Sequence, residues 1–293
     1  MTQENRTQTF ATPAPIRLRV DIPKGRIRVL AEEISETHIE LSARPGDHDA
    51  RALIADAEIA QHDDLISVRI ERRFRAFDWR SAIEAIVRVP LGSAVKLSIG
   101  SGSIETIGQL ADVDAASGSG AVRIDRCEEA NAQAGSGAIL VAAVTNSIEA
   151  RTGSGEIIVG TVGANARLTT GSGRVELARA TGDAIVSTAS GKIEIGEAGD
   201  SVDAHATSGS IRIERADHGR VRVQAMSGQV SVGIAQGTAA LLDVMTSSGR
   251  VRSELESAAA PTDGDKRLEL HIKTMSGNVS LIRAPNAPTR ATL

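Results

Sequence analysis

Apolar and polar residues alternate with a period of two over most of the chain, and the phase slips by one residue at each Ser-Gly pair. The glycines of these pairs stand at 102, 120, 137, 155, 173, 191, 209, 228, 249 and 277, in steps of 17 to 19 residues as far as Gly228 and then of 21 and 28. Two places beyond each glycine sits a β-branched residue: Ile104, Val122, Ile139, Ile157, Val175, Ile193, Ile211, Val230, Val251 and Val279. Apolar or small residues stand seven, five and three places before it, as Val202, Ala204 and Ala206 do before Gly209. A third set follows seven places after it: Cys127, Val144, Val162, Ala180, Ala198, Ala216 and Ala235. Period-two patterning is the mark of strands with one buried face, and the slip calls for a corner that keeps both apolar sets on one inside.

Self-similarity at a fixed short period means stacked units that cannot bury their apolar face alone. Equivalent residues recur at one constant step, whereas hairpins would reverse the phase and place Asn-Gly or Asp-Gly turns at regular intervals. The pattern therefore predicts an all-β fold, a right-handed parallel β-helix or β-solenoid with about 18 residues per coil. The competing arrangement is a sandwich or propeller of short strands. The corner column comprises Ser101-Gly102, Ser119-Gly120, Ser136-Gly137, Ser154-Gly155, Ser172-Gly173, Ser190-Gly191, Ser208-Gly209, Ser227-Gly228, Ser248-Gly249 and Ser276-Gly277. Its serine hydroxyls are expected to bond to neighbouring backbone. Outward positions in successive coils read Glu149, Arg167, Ile185, Asp203, Arg222 and Asp243, a charge column that aids register.

An earlier coil is legible around Gly25, with Leu18, Val20 and Ile22 before it and Ile27 and Val29 after. The pattern fades between Arg44 and Val89, where DHDARALIADAEIA suits a short helix and LISVRI and IEAIVRV suit strands. A solenoid needs its raw sheet edges covered, so this region is expected to form an N-terminal β cap. The predicted organisation is a flexible tail over 1–14, cap and first coils over 15–94, repeats over 95–283, and a disordered tail over 284–293.

Composition sharpens this picture at one point. The chain has no Tyr, one Trp and three Phe, so its core must be layered from aliphatic and small side chains. A net charge of −4 gives no expectation of nucleic-acid binding. The single Cys127 excludes an intrachain disulfide and a cysteine-based zinc cage, and it fits a small buried apolar position. The first residues, MTQENRTQTFATPAP, lack a signal-peptide core, and no stretch has the length of a spanning helix, so a cytoplasmic protein, or one peripheral at the cell envelope, is expected.

The layout as a whole resembles the bacterial "putative adhesin" family of β-strand-repeat proteins, a domain of unknown function. The resemblance covers roughly residues 14 to 283 and rests on IRLRVDIPKGRIRV, the Ser-Gly repeats, VSVGIAQGTAALLDVMTSSGRVRSEL and LHIKTMSGNVSLIRA. It implies a stacked-strand solenoid without established catalytic residues; the adhesin label implies surface exposure.

No residue set announces catalysis. Ten equivalent serines cannot all be nucleophiles, and Gly153-Ser154-Gly155 does not continue into a phosphate loop. His48 and His62 stand beside aspartates, but both lie in polar, turn-like stretches; His205 and His271 fall on outward positions. Glu176 and Glu194 stack as neighbours and Arg212 follows them, which weakens the alternative of a carbohydrate-active enzyme on a β-helix. No cofactor or metal is expected. A self-assembling, polymerising rod is a further alternative.

Two patches stand out. Arg69, Arg72, Arg73, Phe74, Arg75, Phe77, Trp79 and Arg80 gather three of the four aromatics among five arginines. This chemistry suits contact with an unknown protein or an anionic envelope or membrane surface; the alternative role is to seal the end of the core. Met226, Met245 and Met275 fall on outward positions of the last coils and suit either a partner interface or packing beneath the insertion Ser257–Lys266. The expected function is a non-catalytic β-solenoid scaffold or binding module.

Overall fold

The computed structural model describes residues 5–71, 81–255 and 266–284, and the chain divides into two compact units, residues 1–143 and 144–293. Each is built from parallel β-solenoid coils.

In the first unit the strand Arg17–Glu32 lies parallel to Ala94–Ser119, with Gly25 beside Gly102, and Ala94–Ser119 lies parallel to Val122–Ser136. The opposite side of Arg17–Glu32 is covered by an outer coil in two pieces. Arg17 to Asp21 pair with Leu65–Arg69, and Gly25 to Glu32 pair with Ile83–Pro90. Beyond these lie antiparallel cap strands: Glu58–His62 on Leu65–Arg69, Glu36–Ala43 on Ile83–Pro90, and Arg6–Ala11 on Glu36–Ala43. The helix His48–Ala55 buries Ala50, Leu53 and Ile54. Residues 6–11 thus form an edge strand where the sequence suggests a tail. Their alternation, RTQTFA, is polar enough to be overlooked, and only every second residue is half-buried. Of the predicted tail 284–293, all but Ala284 lies outside the described residues.

In the second unit two walls of strands rise in register. One wall runs Ile148–Ser154, Ala166–Ser172, Asp183–Ser190, Ser201–Ser208 and Gly219–Ser227; the other runs Ile157–Val162, Val175–Ala180, Ile193–Glu197, Ile211–Ala216 and Val230–Ile234. The order then departs from the chain. Lys266–Ser276 pairs with Gly219–Ser227, and Thr238–Ser248 pairs with the outer side of Lys266–Ser276. The coil of Gly277 therefore sits between those of Gly228 and Gly249, and in the charge column His271 separates Arg222 from Asp243.

The core is the predicted aliphatic stack. Val202, Ala204 and Ala206 are buried, as are Val162, Ala180, Ala198, Ala216 and Ala235 of the third set. The glycine column follows from how closely the coils approach at the corner. A Cβ on Gly120 would lie 2.2 Å from the carbonyl oxygen of Gly102, and one on Gly191 would lie 1.8 Å from that of Gly173, so only glycine fits. The serines beside them are mostly exposed; Ser119 Oγ donates to Ser101 Oγ at 3.2 Å, and Ser227 Oγ reaches Thr207 O and Ser208 Oγ at 3.5 Å. A further hydroxyl, three places before the glycine, bonds across the corner. Ser117 Oγ donates to Gly102 O at 3.0 Å and Thr170 Oγ1 to Gly155 O at 3.1 Å.

Thr188 holds the same position with its hydroxyl buried and without a partner among the described residues, and Ala206 and Ala225 occupy it in the next coils. Removing a satisfied buried hydroxyl weakens a protein, whereas removing an orphaned one relieves a desolvation cost. In urea titrations, Thr170→Val is expected to destabilise by about 1 kcal/mol and Thr188→Val to be neutral or stabilising by up to about 1 kcal/mol. Equal losses from both would show that this bond carries no energy.

Candidate binding site at the corner column

The outer coil of the first unit lacks the tight corner of the others. Arg69 pairs with Asp21, Ile70 N donates to Asp21 O at 3.0 Å, and the ladder resumes only with Ile83 beside Gly25. Where the inner coil turns through Ile22, Pro23 and Lys24, the outer coil takes residues 70–82. The Arg/aromatic cluster falls within that stretch of the sequence. Arg72, Arg73, Phe74, Arg75, Phe77, Trp79 and Arg80 lie outside the described residues. Arg69, at its start, pairs with Glu71 at 3.2 Å.

Its C-terminal root is held by Asp47, the N-cap of the helix. The carboxylate accepts from Ala50 N at 2.9 Å, from Ser81 Oγ at 2.8 Å and from Ala82 N at 3.3 Å. Partial burial pushes this carboxyl up, but the three hydrogen bonds, with Arg44 nearby, outweigh it and hold the group below its ordinary value.

Beside this root the corner column opens into a cleft of about 660 Å³. Its walls include Lys24, Arg26 and Arg44 with Ser42, Ser101 and Ser103, and Glu84 is the one acid among its lining residues. Lys24 takes the place of the corner serine, opposite Ser101, and Arg26 lies opposite Ser103. Among the described residues the Arg26 guanidinium has no ion-pair or hydrogen-bond partner. Asp47, near Arg44, already accepts from Ala50 N, Ser81 Oγ and Ala82 N. Three cations and three serine hydroxyls line it, a set suited to an anion. Sequence reading singled out none of the three; the available signal was PKGR, where a basic pair flanks the glycine of a corner that elsewhere reads Ser-Gly.

The other sequence candidates are accounted for singly. His48 opens the helix, exposed, and His62 lies at the turn before Asp64, whose carboxylate is bound by Arg17 at 2.7 Å. His205 pairs with Asp203 at 2.9 Å and His271 with Asp243 at 3.3 Å. No group of three or more His, Cys, Asp or Glu among the described residues could hold a metal ion. Glu176 and Glu194 do stack, but Arg174 lies 3.8 and 4.0 Å from them and Arg212 follows Glu194 in the ladder. These carboxylates are charge-paired surface. No helix among the described residues is long and apolar enough to cross a membrane.

The Toastrack DUF4097 profile matches residues 18–282, nearly the whole coiled part of the chain. The chain belongs to the Toastrack DUF4097 family. No curated protein matches it. Among solved structures, the Toastrack chain is similar to a "putative adhesin" of Bacteroides fragilis, at 12% identity over 96% of this chain and 98% of that one, with a TM-score of 0.47. A "putative adhesin" of Parabacteroides merdae shares 12% identity over 95% and 96% of the two chains, with a TM-score of 0.39. A "putative lipid binding protein" of Parabacteroides distasonis shares 8% over 95% and 97%, with a TM-score of 0.38. The family match agrees with the solenoid and with a domain of unknown function.

Proposed function

We propose that this Toastrack chain is a non-catalytic scaffold and binding module that docks on an anionic lipid surface, with Lys24, Arg26, Arg44 and the Arg/aromatic cluster as its contacts. The observation that carries this reading is the cleft itself: three cations against one acid, opening where the chain returns from a segment holding five arginines and three aromatics. Arginine supplies bidentate contact with phosphate oxygens, and Phe or Trp beside it suits the interfacial layer of a bilayer. The serines of the repeats are placed by the corner geometry and need no catalytic role.

Sedimentation with phosphatidylglycerol vesicles, against phosphatidylcholine vesicles, tests this directly. Each basic residue near an anionic surface contributes about 1 kcal/mol, so the double variant Arg26→Glu/Arg44→Glu should bind at least about thirty-fold more weakly. Phe74/Phe77/Trp79→Ala should also lose binding. Wild type that ignores both vesicle types, or a folded double variant that binds as well as wild type, overturns the proposal.

A further inference from the structure

The second unit ends on an open coil. Thr238–Ser248 pairs with Lys266–Ser276 on one side and with no described strand on the other, and Val251–Ser253 likewise pairs only with Val279–Arg283. Side chains that every inner coil buries are therefore exposed here. Leu242 is 39% and Val251 47% exposed, while their ladder neighbours Leu270 and Val279 are at 0% and 1%. On the outward face of the same coils Leu241 is 67% exposed, and Met226, Met245 and Met275 are 53–59% exposed, with Met226 level with Met275 in the ladder. Six of the eight large hydrophobic residues exposed among the described residues thus collect at one end of this unit. A free strand edge and an apolar patch in one place mark an interface.

The segments that adjoin this coil in sequence are poor in large apolar side chains. Residues 256–265 read ESAAAPTDGD and residues 285–293 read PNAPTRATL, with a single Leu between them. The edge strand, by contrast, is suited to its own copy. In an antiparallel pair centred on Leu242, Leu242 meets its twin, Ala240 meets Val244, Ala239 meets Met245, and Leu241 meets Asp243. The strand's one charge then stands off the axis, so like charges do not oppose each other, and the apolar ladder continues across the junction. We propose that the terminal coil of the second unit is a two-fold docking surface for a second copy of this chain. Such a contact is isologous: it consumes the open edge of both copies and closes at two, unlike a head-to-tail rod.

Sedimentation velocity of the full chain, across a concentration range of about a hundred-fold, should give twice the mass of the 30.5 kDa chain. Leu242→Lys, which places like charges on the axis, should give a monomer with an unchanged far-ultraviolet spectrum. A second variant guards against misfolding. Opposed strand residues lie at distances a disulfide can span, so Leu242→Cys should cross-link into a dimer under mild oxidation, whereas Leu91→Cys, an exposed leucine of the first unit, should not. The buried Cys127 does not interfere. A monomeric wild type overturns the proposal, as does a dimer that survives Leu242→Lys or a Leu242→Cys that cross-links no better than Leu91→Cys. A wild type that stays monomeric but loses vesicle binding on Leu242→Lys assigns the edge to lipid and likewise overturns it.

Discussion

Replacing Gly209 by Ala should cost at least about 3 kcal/mol and lower the melting temperature by roughly 6–12 °C. The new Cβ would lie 1.7 Å from the carbonyl oxygen of Gly191, well inside van der Waals contact. Neither corner can retreat freely, because Gly191 N donates to Ser208 O and Gly209 N to Ser227 O, each at 3.0 Å. Relief requires breaking one of these bonds or shifting a coil against its neighbours on both sides. Gly237→Ala is the control. Its φ is also positive, at +73°, but no atom stands within 4 Å of the new Cβ. That variant carries only the left-handed backbone penalty, about 1 kcal/mol. Thermal melts of the two separate crowding from backbone conformation, and equal shifts would mean that the column is kept for its turn geometry alone.

The same glycines explain why so much of the fold was legible. A coil that repeats every 17 to 19 residues must place its tightest contact at one phase of the repeat. No residue other than glycine survives at that contact, so it is visible in a single sequence. The inward ladders are legible for the related reason that a buried strand face admits only a few side chains. The order of the last coils was not legible. Gly249 precedes Gly277 in the chain but lies outside it in the stack. Both coils carry the same local pattern, and the choice between them is made by long-range pairing, hinted at only by the longer steps. The hydroxyls of Ser117 and Thr170 that bond across the corner are harder to read from sequence than the serines beside glycine, because Ala206 and Ala225 hold the same position in other coils. The cationic cleft escaped notice for a different reason. Arg26 and Arg44 belong to separate elements that meet only through the antiparallel cap, and no spacing along the chain encodes that meeting.

Cys127 should report on the opening of the first unit. It is 1% exposed, opposite Leu110 in the parallel ladder, and burial, with Asp112 nearby, pushes its thiol up to about 12. Only the thiolate is alkylated, so iodoacetamide at neutral pH should label native protein at least about a thousand-fold more slowly than unfolded protein. Gly120→Ala, whose Cβ would lie 2.2 Å from Gly102 O in the adjoining coils, should raise the labelling rate by promoting opening. The pH dependence has a definite sign. A thiol that titrates near 9.0 when unfolded and near 12 when folded binds its proton more tightly in the native state. Its contribution is therefore fully present below pH 9.0 and lost as pH rises toward 12. Between about pH 8 and about pH 10 the loss is roughly 1.4 kcal/mol. Cys127→Ala, which installs the side chain that Ala180, Ala198 and Ala216 supply at the equivalent position, should remove that part of the slope. Urea titrations of both proteins at the two pH values measure the difference, and parallel slopes would mean that the thiol is reached by water in the native coil.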